Sequence, residues 1–132
     1  MAKILICEDD QLYRQIAEVA FAGSGHELVF VEDGVSALTQ LQRQPIDLLI
    51  TDLVMPNKDG LEVIQDFRRS GTTITILVMS GGMASLKTSL FAAASALGAN
   101  DALPKPFRPQ ALRERAEALL SNTHALRADK IA

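Results

Sequence analysis

Three carboxylates stand in a row, Glu8-Asp9-Asp10, directly after the apolar run Ile4-Leu5-Ile6-Cys7. Two carboxylates about 4 Å apart repel by roughly 4 kcal/mol at an effective dielectric near 20. A chain gathers them where something offsets that cost. A fourth acid, Asp52, ends a second apolar run, Leu48-Leu49-Ile50-Thr51. Ser80 follows Ile76-Leu77-Val78-Met79, and Lys105 sits between two prolines. Several carboxylates around one point suit a hard divalent cation such as Mg2+, which takes oxygen ligands and keeps several waters.

These residues can meet only if the elements carrying them are brought side by side. Short apolar runs at residues 4–7, 28–31, 48–51 and 74–79 read as strands, with 102–103 a weak fifth. The first, third and fourth are almost continuously apolar, as parallel strands covered on both faces are. Between them lie helical stripes: Leu12, Ile16, Val19 and Ala20; Val35, Leu38 and Leu41; Leu61, Ile64 and Phe67; Leu86, Leu90, Ala93 and Leu97; Leu112, Ala116, Leu119 and Leu120. Asp10 and Asp33 have the position of N-caps, and Asp59 with Glu62 has capping-box spacing. Gly98 stops the fourth helix and Pro109 opens the fifth.

Strict β-α alternation predicts a doubly wound α/β sandwich with right-handed crossovers, a five-stranded parallel sheet of order 2-1-3-4-5. Ligands in such folds sit beyond the carboxyl ends of the strands, at the switch point between strands 1 and 3. Glu8, Asp9 and Asp52 would converge there, with Ser80 and Lys105 approaching from the other side.

The 132 residues suit one domain, and 48% apolar content places the chain among globular proteins. A net charge of −3 and the lack of a Lys/Arg cluster argue against nucleic acid. One cysteine excludes an internal disulfide and suits a cytoplasmic location, and no apolar stretch reaches membrane-spanning length. Cys7 reads as core, and His26 and His124 as surface residues. Residues 122–132 are expected to extend the last helix or to be disordered, with no output domain after them.

The blocks ILICEDD, DLLITDLVMPNKDGLEVI, Ser80 after ILVM, and ALPKPF together resemble the receiver domain of bacterial two-component response regulators, over nearly the whole chain. The likeness is nearest to standalone receivers of the chemotaxis type, with a flavodoxin-like fold. It implies that Asp52 is a phosphoacceptor, taking a phosphoryl group from a sensor histidine kinase or a histidine phosphotransfer protein. It also implies that Glu8, Asp9, Asp52 and the backbone carbonyl of Val54 hold Mg2+, Asp9 directly and Glu8 through water. Ser80 and Lys105 would bind the phosphoryl group, with the Lys105–Pro106 bond cis. Such a protein is a signalling phosphoacceptor that docks to a downstream protein target or passes the group along a phosphorelay, rather than an enzyme turning over substrate.

Three departures from the family pattern stand out. Ala102 occupies a position where many receivers carry Tyr or Phe. The segment from Gly81 to Leu86 is longer than in compact receivers, which points to a mobile loop closing through Ser80. Val54 and Gly82 replace polar groups that often orient a hydrolytic water, which implies slow self-dephosphorylation. Two other functions fit less well. A phosphatase of the haloacid-dehalogenase type wants a second Asp where Val54 stands. A pseudo-receiver that is never phosphorylated has no need of Glu8, Asp9, Asp52 and Lys105 together.

Overall fold

Ile4, Leu5 and Ile6 have no exposed surface, nor do Leu48, Leu49 and Ile50. Strands buried on both faces must lie inside a sheet. The computed structural model describes residues 1–53, 60–81 and 84–131, with side chains in 1–53, 60–81 and 91–121. Its elements run β1 (Lys3–Cys7), α1 (Gln11–Ala20), β2 (Glu27–Val31), α2 (Gly34–Arg43), β3 (Leu48–Asp52), α3 (Gly60–Arg69), β4 (Thr75–Ser80), α4 (Ala84–Leu97), β5 (Asp101–Pro104) and α5 (Pro109–Ile131). The strands form one parallel sheet of order β2-β1-β3-β4-β5, as the alternation predicts. The strand ends differ from the sequence expectation by a residue or two, because hydrogen-bonded pairing continues past the apolar run.

Alternation along the strands splits the core in two. Ile4, Ile6, Leu48, Ile50, Leu77 and Met79 face α1 and α5, packing on Ala17, Ala20, Leu112 and Ala116. Leu5, Cys7, Leu49, Ile76 and Val78 face the opposite layer, on Ala37, Val63, Ile64, Phe67 and Ala94. Cys7 is core, as expected, and burial pushes its thiol up to about 12 against a smaller opposing effect of a bond with Thr51, so it is not a nucleophile.

The termini of the helices follow their capping chemistry. The Asp10 carboxylate accepts from Leu12 N at 2.9 Å, and Asp33 accepts from Ser36 N at 2.8 Å. Gly98, at φ +117°, follows the last residue of α4 in a conformation that favours glycine. The capping box at Asp59 lies outside the described residues.

Two expectations need correction. Leu12 and Val19 are exposed at 58% and 64%, and Val35 at 55%. Ala20 of the expected α1 stripe is buried, joined by Ala17, while in α2 Ala37 is buried and Leu38 and Leu41 pack partly buried against the core. Small residues let α1 lie close to α5, and periodicity alone favours the larger apolar side chains one position round the helix. His26 is also no surface residue. Its Nδ1 accepts from Ala2 N at 2.9 Å and its Nε2 pairs with Glu117 of α5. An Nδ1 that accepts leaves the proton on Nε2, which donates to Glu117.

The ends of the strands away from the acids are also tied by Arg68. Its guanidinium donates to the carbonyls of Thr72, Ile74 and Gly98 and to Asn100 Oδ1, at 2.7–3.2 Å. One side chain thereby joins the loops that follow α3 and α4. Burial lowers its pKa.

The α1 correction is testable. Ala17→Leu is expected to cost about 1–3 kcal/mol by overpacking, whereas Val19→Lys changes stability by less than about 0.5 kcal/mol. Urea midpoints of the two variants against the parent protein measure both.

Candidate functional site

The register of the sheet brings the acids together. Cys7 of β1 pairs with Thr51 of β3, so the next residues along, Glu8 and Asp52, leave neighbouring strands side by side. Both then fall on the α1/α5 side by alternation. Glu8 is fully buried and Asp52 is 7% exposed. Glu8, Asp9 and Asp52 each offer an oxygen, and these atoms lie within 4.8 Å of one another, with Asp9 exposed.

Several backbone bonds fix this edge. Glu8 N donates to Val31 O at 3.0 Å and Leu53 N to Met79 O at 3.1 Å. The Thr51 hydroxyl donates to the Asp52 carbonyl at 2.9 Å. Asp10 N donates to Glu8 Oε2 at 3.1 Å, so the residue that caps α1 also orients the acid two before it. The three adjacent carboxylates therefore divide their work, two facing the pocket and one starting the helix.

Lys105 supplies the opposing charge. Its Nζ bonds Glu8 Oε1 and reaches Asp52 Oδ2 at 2.9 Å. Its side chain is 11% exposed. The Lys105–Pro106 bond is cis, and Lys105 N donates to Ser80 O at 2.8 Å. Burial pulls the ammonium pKa down, but the bonds to Glu8 and Asp52 outweigh it, and the pKa is raised. Burial pushes the Glu8 carboxyl up from 4.5 to about 7; Lys105 opposes that shift and Asp52 adds to it. With Glu8 ionised, one ammonium shared by two buried carboxylates leaves excess negative charge at the pocket.

Ser80 is buried at the same sheet edge, its hydroxyl donating to its neighbour's carbonyl, Gly81 O, at 3.2 Å. The bonds described above gather Glu8, Asp9, Asp52 and Lys105; Ser80 joins them through its backbone. The Val54 carbonyl and the loop beyond Gly81 lie outside the described residues.

Two neighbours of the site were given no role by the sequence motifs, although Gly60 lies within the block DLLITDLVMPNKDGLEVI. Gly60 opens α3 against the phosphoacceptor candidate. A Cβ there would lie 2.2 Å from Asp52 O and 2.6 Å from Leu53 Cα, so only glycine lets the helix approach. An Asp-Gly pair before an apolar stripe was its one trace in the sequence. Tyr13 is the second, with its ring centroid 4.1 Å from Lys105 Nζ. Its place one helical turn after Asp9 could have flagged it.

The donor set fits Mg2+. Three carboxylates converge, one of them solvent-facing, where retained waters can complete an octahedron. The fold and this pocket are those of a receiver domain. The response regulator receiver domain model matches residues 4–117, and the chain belongs to that family, which serves two-component signalling. Response regulator MprA of Mycobacterium leprae is 36% identical over 121 residues, covering 92% of this chain and 52% of that protein. The chain thus spans about half the length of the curated relatives it matches. The chemotaxis response regulator CheY4 of Vibrio cholerae has 28% identity and a TM-score of 0.81, covering 90% of this chain and 98% of that one. The receiver domain of the TMAO respiratory system response regulator TorR shares the fold, at 24% identity and a TM-score of 0.81, over 92% and 98% of the two chains.

The raised Glu8 pKa gives a pH dependence with a definite sign. The folded protein holds a proton that the unfolded chain has released, so this contribution to stability is complete below pH 4.5 and lost as pH rises through about 7. Without metal, unfolding free energy is expected to fall by about 1–3 kcal/mol across that window. Saturating Mg2+, which favours the ionised acid, flattens the dependence. Urea titrations at pH 5 and 7.5, with and without Mg2+, measure it.

Proposed function

We propose that Asp52 accepts a phosphoryl group from a phosphohistidine, with Mg2+ held by Glu8, Asp9, Asp52 and the Val54 carbonyl. The donor is a sensor histidine kinase or a histidine phosphotransfer protein. The modified chain then docks to a downstream protein or passes the group along a relay. The observation that carries this reading is the position of Asp52. It ends a central strand, with oxygens of Glu8 and Asp9 within 4.8 Å and the Lys105 ammonium bonded to it.

An Asp52 carboxylate oxygen attacks phosphorus, the P–N bond to the donor imidazole breaks, and that nitrogen leaves with the electron pair and takes up a proton. The bound cation would neutralise charge on the phosphoryl oxygens. Lys105 supplies a second positive charge, already desolvated and in contact with the nucleophile. Ser80, whose hydroxyl donates to Gly81 O here, would donate to a phosphoryl oxygen instead. Glu8 holds Lys105 at the Asp52 side of the pocket. Residues 1–121 carry this chemistry, which consumes its own side chain and so makes the protein a signalling substrate rather than an enzyme. The reduced, buried Cys7 suits the cytoplasm for this exchange.

Incubation with Mg2+ and phosphoramidate is expected to add the mass of one phosphoryl group. The gain is lost in Asp52→Asn and in the presence of a chelator, by mass spectrometry. No uptake by the parent protein would leave the pseudo-receiver reading in its place.

Val54 and Gly82 have no polar side chain with which to orient a hydrolytic water. The acyl phosphate is therefore expected to last minutes or longer at neutral pH. Its decay after removal of the donor gives the lifetime, and a half-life of seconds contradicts the expectation.

A further inference from the structure

We infer that Tyr13 is a positioning residue for Lys105, its ring face holding the ammonium at the site whatever the charge on the neighbouring acids. The inference rests on the phosphoacceptor reading of Asp52 and deepens it.

Lys105 carries its charge on a flexible four-carbon stem. Its ammonium meets three attractive surfaces: Glu8 Oε1, Asp52 Oδ2 and the Tyr13 ring, whose centroid is 4.1 Å from Nζ. The first two change during the proposed reaction. Asp52 gives up a carboxylate oxygen to the new P–O bond, and Glu8 is a ligand that a bound cation would draw on. The ring quadrupole does not change. It attracts the ammonium before and after transfer, and so keeps it from swinging into water when its anionic partners are claimed.

The ring is itself fixed. Tyr13 lies in the first turn of α1, whose start is held by the Asp10 cap. On its other side it packs against Phe107, centroids 5.3 Å apart at 54°. Phe107 lies two residues after Lys105, so the lysine loop and the ring brace each other. Simple packing would account for the Phe107 contact; the placement of the ammonium over the ring face is what a packing role does not require.

The test uses the full chain in two arms. In the unmodified protein, the Lys105 Hε resonances, identified by their loss in Lys105→Arg, are expected upfield of ordinary lysine through the ring current. They stay there in Tyr13→Phe and return to ordinary values in Tyr13→Leu. With Mg2+ and phosphoramidate, the rate of Asp52 phosphorylation is expected to fall about 3- to 30-fold in Tyr13→Leu, the span from an exposed to a desolvated cation–π contact. Tyr13→Phe recovers most of that loss. Should Tyr13→Leu not fold, Tyr13→Met replaces it as an unbranched side chain without a ring. An unmoved Lys105 resonance in the ringless variant, an unchanged rate, or a Tyr13→Phe rate as low as that of Tyr13→Leu each overturns the inference. If the parent protein takes up no phosphoryl group, the phosphoacceptor reading fails, and the resonance arm still decides whether the ring holds Lys105.

Discussion

One ammonium set against two buried carboxylates governs this structure. Glu8 and Asp52 are carried to the same point by strand pairing, and Lys105 answers both. An ion taken out of water costs several kcal/mol that only close partners repay, whereas exposed pairs such as Arg14–Glu32 contribute about 0–1 kcal/mol. The pocket is thus where electrostatic energy is concentrated. Its charge does not balance, since two buried acids and one exposed acid face a single lysine. That imbalance makes it a receptor for added positive charge, and the backbone bonds around it hold the imbalance in place.

The opposite end of the sheet has a different character. There Arg68 satisfies carbonyls from two loops, and His26 joins the chain start to α5. Every buried side-chain polar atom among the described residues has a hydrogen-bond partner. Polar groups at that end close loops, while at the acid end they face one another across a pocket. The same parallel sheet thus has one edge built for permanence and one held for exchange.

Much of this was legible in the sequence, for identifiable reasons. Continuous apolar runs gave the central strands, alternation gave the topology, and the acids and lysine ended those runs. Asp10, Asp33, Gly98 and Pro109 marked helix ends through local chemistry that needs no tertiary context. What escaped depended on neighbours far along the chain. Leu12 and Val19 belong to the apolar stripe and Ala17 does not, yet the core takes Ala17 with Ala20 and leaves Leu12 and Val19 exposed. His26 has no ligand spacing because its partners are Ala2 and Glu117, at opposite ends of the sequence. Tyr13 could be flagged by its place one turn after Asp9, but its contact is with Lys105, 92 residues further along the chain.

Gly60 has a mechanical consequence. The backbone of α3 meets the backbone at Asp52 and Leu53 with no room for a side chain between them, and Gly60 N is bonded to Leu53 O at 3.0 Å. Side chains elsewhere in the core can absorb a small displacement by changing rotamer. This contact has none to change, so it has no slack. The main chain that carries the Asp52 carboxylate and the start of α3 are thus in direct backbone contact. A shift of the Asp52 main chain would meet α3 directly, with no side chain between them to absorb it.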